Sequence, residues 1–98
     1  MKLKGKTALI TGGSKGIGKQ IAIDLAKRGV NVIINYHKDK KSAKKAILKI
    51  SEYDVKYDKI QFDVSNYIQV KNKIKNVLEN FSGLDILINN AGIIGEHK

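Results

Sequence analysis

The sequence predicts an α/β fold in which a parallel sheet carries helices on both faces. Two observations predict it. Short apolar runs rich in β-branched residues alternate with segments whose apolar residues recur at helical spacing. The connections are short, and the order strand-helix-strand-helix-strand-helix-strand argues for parallel pairing with the helices as crossovers. Right-handed crossovers then leave few topologies. The whole chain, residues 1–98, forms one small domain and is too short for two of ordinary size.

Each element has its own local signal. Residues 6–10 (KTALI) form an apolar run ended by glycines, as a buried strand requires. Residues 16–28 place Ile17, Ile21, Ala22, Leu25 and Ala26 on one helical stripe. Arg28 followed by Gly29 puts a cation in the last turn and a glycine just past it. Residues 31–36 (NVIINY) hold Val32, Ile33 and Ile34 in succession, the pattern of a strand covered on both faces. From 40 to about 53 a helix buries Ala43, Ala46, Ile47 and Ile50 and leaves Lys40, Lys41, Lys44, Lys45 and Lys49 to water. Residues 59–62 (KIQF) make a weaker third strand, and Ser65 is placed to cap the next helix. That helix carries Val70, Ile74, Val77, Leu78 and Phe81 on one face until Ser82 and Gly83 break it. Residues 85–89 (DILIN) form the fourth strand and lead into NAGIIG.

Composition narrows the function. The absence of cysteine removes disulfides and thiolate chemistry and fits a reducing compartment. Neither a secretory signal nor an apolar run of membrane-spanning length is present, so a soluble, cytoplasmic protein is expected. The net charge of +10 comes almost entirely from lysine, with Arg28 as the single arginine. Recognition of nucleic acid usually draws on the bidentate arginine fork, so the lysines read as a solvated surface.

The stretch TGGSKGIG, residues 11–18, concentrates four of the nine glycines between the first strand and the first helix. Gly12 supplies the positive φ of a sharp strand-to-helix turn. Gly16 leaves no side chain where a pyrophosphate must approach the backbone, and Gly18 allows helix and strand to pack closely. The helix start offers unpaired N–H groups and a positive dipole end to an anion. The spacing differs from G-x-G-x-x-G, and the phosphate-binding P-loop is excluded because Lys19 is followed by Gln20.

TGGSKGIG resembles the cofactor turn of the short-chain dehydrogenase/reductase family. Three further stretches agree in order and spacing: NY at the end of the second strand, FDVSN at 62–66 and INNAG at 88–92. The pattern is most similar to the 3-oxoacyl-carrier-protein reductase and glucose dehydrogenase-like branches. The resemblance implies a Rossmann-like sheet of order 3-2-1-4, the first part of a doubly wound domain. It implies that Gly12, Ser14, Lys15, Gly16, Ile17 and Gly18 line the phosphates and ribose. Asp63 would meet the adenine amino group, with the Val64 backbone beside it. Asn90, Ala91 and Gly92 would run beside the ribose and nicotinamide, while Asn89 ties the fourth strand to its neighbours.

Cofactor choice follows from the end of the second strand. A NAD-selective site places a carboxylate there, against the ribose 2′-hydroxyl. Here the slot is Tyr36, followed by His37 and Lys38, and the glycine turn adds Lys15. Asp39 is expected to lie outside the site. These groups favour NADP(H) over NAD(H), because cations hydrogen-bond a 2′-phosphate with charge assistance.

The family's chemistry uses a serine and a Tyr-x-x-x-Lys pair beyond a fifth strand. Tyr36/Lys40 and Tyr67/Lys71 have that spacing, but such pairs arise by chance among 18 lysines, and neither follows a fifth strand. No catalytic residue and no metal ligand is therefore assigned. The expected function is the NADP(H)-binding portion of an oxidoreductase acting on a small-molecule carbonyl or alcohol. That portion is expected to be inactive alone and homo-oligomeric in the full-length protein. The alternatives are a non-catalytic nucleotide-binding module and, third, a basic nucleic-acid-binding protein.

Overall fold

A computed structural model describes residues 2–90. The chain alternates β1 (Thr7–Thr11), α1 (Gly16–Lys27), β2 (Asn31–Tyr36), α2 (Lys40–Ile50), β3 (Tyr57–Gln61), α3 (Tyr67–Leu78) and β4 (Ile86–Asn89). All pairings are parallel and the sheet order is β3-β2-β1-β4. The expected Rossmann-like architecture is therefore present. β4 is pinned at its entry, where the Asp85 N–H donates to the Thr7 carbonyl and the Thr7 N–H to Asp85 Oδ2, each at 2.9 Å.

Burial explains the apolar run in β2. Ala8, Ile10, Val32 and Ile34 face α1 and α2, where Ala22, Ala26, Ala43, Ala46 and Ile50 are buried against them. Leu9, Ile33, Ile60 and Phe62 face the opposite side, covered by Val70, Ile74 and Val77 of α3. With both faces covered, no position of β2 between Val32 and Asn35 can be left to water, and all four are buried. The small alanines of α1 and α2 let the helix backbones approach the sheet and each other closely. Leu87 shares a register position with Leu9 but lies on the sheet edge and is 59% exposed.

Several element ends differ from the sequence expectation: β1 spans Thr7–Thr11 instead of 6–10, α1 ends at Lys27 and β4 starts at Ile86. β3 runs over Tyr57–Gln61, because its register partners extend to Val32 at one end and Tyr36 at the other. Phe62 lies just past it, fully buried, its N–H donating to the Tyr36 carbonyl at 3.1 Å. α2 ends at Ile50 and turns out through Ser51, whose hydroxyl donates to the Leu48 carbonyl. Asn66, not Ser65, caps α3 by accepting from the Gln69 N–H at 3.1 Å. Ser65 lies one residue before the cap, and both its N–H and its hydroxyl donate to Asp63 Oδ1, at 3.0 and 2.8 Å.

Candidate nucleotide-binding site

The carboxyl ends of β1, β2 and β3 open onto a cleft of about 890 Å³. In a parallel α/β sheet this crevice, beside the point where strand order reverses, is where ligands bind. Here β1 sends its crossover one way to β2, while β4 lies on its other side.

The floor is the glycine turn. Gly12 has φ +65° and Gly16 φ +61°, a region that residues with a Cβ rarely enter. A Cβ on Gly16 would meet no atom within 4 Å, so the absent side chain leaves the backbone open to the cleft. Gly18 is the reverse case: a Cβ there would overlap the Gly12 carbonyl oxygen and stand 2.8 Å from Asn90 Nδ2. Its role is close packing against the turn itself, and contrary to expectation it does not line the cleft as Gly12 and Gly16 do. Lys15 is the residue before α1, and its side chain makes no capping bond. The first turn of α1 also contains no acidic residue. The helix start thus presents N–H groups and dipole to the cleft without an internal anion to neutralise them.

One wall is the end of β2, with Tyr36, His37, Lys38 and Asp39. Asp63 and Val64, past β3, line the cleft as well. His37 Nε2 stands 3.7 Å from Asp63 Oδ2, so the segments that follow β2 and β3 meet along this side of the cleft. The hydrogen bonds from the Ser65 backbone and hydroxyl, aided by His37 and Lys38, hold the Asp63 carboxyl below its ordinary range. Asp63 Oδ1 serves this turn, and Oδ2 faces His37.

The structure overturns one expectation: Asp39 lines the cleft. It caps α2, its carboxylate accepting from the Ser42 N–H at 3.0 Å and the Ser42 hydroxyl at 2.7 Å. The helix cap brings it back over the turn, where Asp39 Oδ2 stands 3.4 Å from Lys15 Nζ. Those hydrogen bonds, with Lys15, hold its pKa down to about 2. An anion is therefore present near the place expected for a 2′-phosphate, and Lys15 is its partner. The capping pattern D-x-x-S at residues 39–42 was the available signal.

Of the other residues singled out, Ser14 and Ile17 line the cleft. Ser14 is buried and Ile17 is 74% exposed, an apolar side chain standing free at the helix start. Asn90 lines it too, its Nδ2 donating to the Gly12 carbonyl at 3.3 Å. Ala91 and Gly92 lie outside the described residues. Asn89 accepts from the Thr11 hydroxyl at 3.1 Å, which fastens β4 to β1 as expected. Tyr36 lines the cleft but Lys40 does not, and neither Tyr67 nor Lys71 does.

Sequence reasoning missed Asn35. It lines the cleft from beneath, is only 2% exposed, and bonds to both the glycine turn and the segment after β3. A single amide inside the run VIINY was the available clue, since a buried polar side chain needs partners.

Sheet order, glycine turn and open helix start together define a Rossmann-like nucleotide-binding domain. The chain belongs to the short chain dehydrogenase family, which matches residues 6–98. It is 44% identical over 88 residues to the 3-oxoacyl-(acyl-carrier-protein) reductase FabG of Staphylococcus aureus strain Mu50, covering 90% of this chain and 36% of that protein. It is 40% identical over 93 residues to an L-rhamnose 1-dehydrogenase (NADP(+)) of Thermoplasma acidophilum, covering 95% of this chain and 37% of the relative. Among solved structures, a short chain dehydrogenase from Burkholderia cenocepacia J2315 in complex with NADP superposes with a TM-score of 0.82 at 41% identity. That match covers 89% of this chain and 36% of the other. The chain thus spans little more than a third of the length of these relatives. Among the described residues, no helix is long and apolar enough to cross a membrane.

Proposed function

We propose that this chain is the NADP(H)-binding portion of a short-chain dehydrogenase/reductase that reduces a carbonyl or oxidises an alcohol on a small molecule. The observation that carries the reading is the cradle at Gly12–Gly18: an uncapped helix start, opened by a glycine whose missing Cβ faces free space, at the carboxyl edge of the sheet. An anionic pyrophosphate fits such a cradle by geometry and by charge.

The chain's own residues divide the binding work. The backbone of Gly12 to Gly18 takes the phosphates. Asp63 and Val64 bound the adenine end, and Asn90 lies toward the nicotinamide end. Lys15 and Lys38 meet the 2′-phosphate. Lys15 leaves Asp39 to do so, and the exchange is feasible because an ion pair with side chains 69% and 41% exposed is weak in water. The charge of Asp39 opposes NADP but is largely satisfied by Ser42. Two relatives carry NADP in their names, which supports the same choice. When bound, the reduced cofactor would supply the hydride to a carbonyl and the oxidised form would accept it from an alcohol. Proton donation to the substrate oxygen requires a positioned acid. Neither Tyr-x-x-x-Lys pair has both members on the cleft. The chain alone is therefore expected to bind cofactor and not to turn over substrate.

Titrating the chain with NADPH and NADH, followed by nicotinamide fluorescence, tests the reading. Binding of NADPH in preference to NADH is expected. No response to either nucleotide would overturn it.

A further inference from the structure

We propose that Asn35 is a positioning residue that couples the phosphate-binding turn to the adenine-side loop, so that the two grip one dinucleotide at a fixed separation. The inference rests on the nucleotide-binding reading above and assigns a role within that site to Asn35, which the resemblance includes in its NY stretch without giving it a task.

The amide is used at both ends. Asn35 Oδ1 accepts from the Gly12 N–H at 3.1 Å. The Asn35 backbone carbonyl accepts from the Gly13 N–H, also at 3.1 Å. Asn35 Nδ2 points the opposite way and donates to the Phe62 carbonyl at 3.1 Å, with the Ile60 carbonyl at 3.5 Å and the Tyr36 carbonyl at 3.2 Å. Phe62 immediately precedes Asp63 and Val64 on the far wall of the cleft. One planar group therefore links the floor of the cleft to the Asp63–Val64 wall through a donor and an acceptor whose separation cannot change.

The link does more than close the sheet. β2 already pairs with β1 and β3 along its length through backbone bonds. Two of the side-chain bonds reach Gly12 and Phe62, the first residues past β1 and β3, and add to the single backbone bonds that Gly13 and Phe62 make to β2 there. Gly12 has its positive φ there, so its orientation depends on what its N–H is given. At 2% exposure the amide has no water to replace a lost partner.

The side chain has requirements that distinguish it from a packing residue. It must accept toward Gly12 and donate toward Phe62. Leucine of similar volume does neither. Aspartate accepts from Gly12 but turns a carboxylate onto the Phe62 and Ile60 carbonyls. Burial against those oxygens raises its pKa, and the protonated acid can again donate.

The test uses ADP, which carries adenine at one end and pyrophosphate at the other. Binding is measured by calorimetry on wild type, Asn35→Leu and Asn35→Asp, at a temperature where circular dichroism shows each folded. Asn35→Leu is expected to bind ADP about ten-fold more weakly than wild type, the loss of a buried bond and of alignment. Asn35→Asp is expected to bind weakly at about pH 8 and to recover most of the wild-type affinity at about pH 6, as its acid regains the proton. Affinities are compared with wild type at each pH, which cancels any pH dependence that the proteins and the nucleotide share. A purely structural role predicts lower melting temperatures without this pH-dependent recovery. If Asn35→Leu does not fold, the pH response of Asn35→Asp decides alone. A folded Asn35→Leu with wild-type affinity, or an Asn35→Asp ratio flat in pH, overturns the inference while leaving the nucleotide reading intact. A wild-type chain that fails to bind ADP overturns both.

Discussion

Replacing Gly18 with alanine sets two physical effects against each other. Gly18 is the third residue of α1, and a glycine-to-alanine change inside a helix ordinarily stabilises by about 1 kcal/mol. Here the added methyl would overlap the Gly12 carbonyl oxygen, with the carbonyl carbon at 3.0 Å. That backbone carbonyl cannot swing aside as a flexible side chain would. Overpacking of this kind costs about 1–3 kcal/mol. The methyl also displaces the Asn90 amide, whose bond to Gly12 contributes about 1 kcal/mol. The net effect is a destabilisation of about 1–3 kcal/mol. In a domain of this size that lowers the melting temperature by about 4–24 °C. Thermal unfolding by far-ultraviolet circular dichroism reads the change. Gly16→Ala separates packing from backbone strain, since its Cβ meets no atom within 4 Å and only its φ of +61° is penalised. A Gly18→Ala protein melting at or above wild type would show that helix propensity wins and that close approach is not what Gly18 provides.

Lys15→Ala with Lys38→Ala is expected to weaken NADPH binding by about ten-fold or more and NADH binding by far less, since charge-assisted bonds to the 2′-phosphate are lost. Fluorescence titration checks this, and equal loss for both nucleotides would remove the NADP assignment. Acid should destabilise the fold in a defined window. Asp39 has its pKa down to about 2 and Asp63 shifts the same way, so their contributions are present above the unfolded carboxylate range and are lost as pH falls through the folded values. Melting temperature is therefore expected to hold above about pH 5 and fall below about pH 4. Asp39→Asn, which keeps a capping oxygen, should flatten that fall, and an unchanged acid limb would count against the assignment. Leu87→Lys is expected to reduce self-association, because Leu87 is 59% exposed on the edge strand β4 and an edge lysine discourages strand pairing. Light scattering against concentration would detect it.

The chain's sequence of elements, its parallel sheet and its glycine turn were legible locally. β2 announces itself by consecutive β-branched residues, and the turn by glycines in a slot that strand and helix periodicity frame. The positive φ of Gly12 and the dense packing at Gly18 both follow from residue type at that slot. The ends of elements were less legible. Ser65 and Asn66 are both competent caps, and the structure uses Asn66, while Ser65 donates its N–H and hydroxyl to Asp63.

By itself, then, the sequence determined which segments are strands and helices, that glycines line one crossover, and that cations outnumber acids beside it. These properties depend on neighbours within a few residues. Only the tertiary structure decided that Asp39 returns to Lys15 from the cap of α2, that His37 faces Asp63, and that Asn35 holds Gly12 to Phe62. Each joins segments 22 or more positions apart, through parallel crossovers whose register is set by how the two faces of the sheet bury their apolar residues. Local pattern predicts the presence of such polar groups. Their pairing is fixed only when burial brings the ends of β1, β2 and β3 together and denies them water.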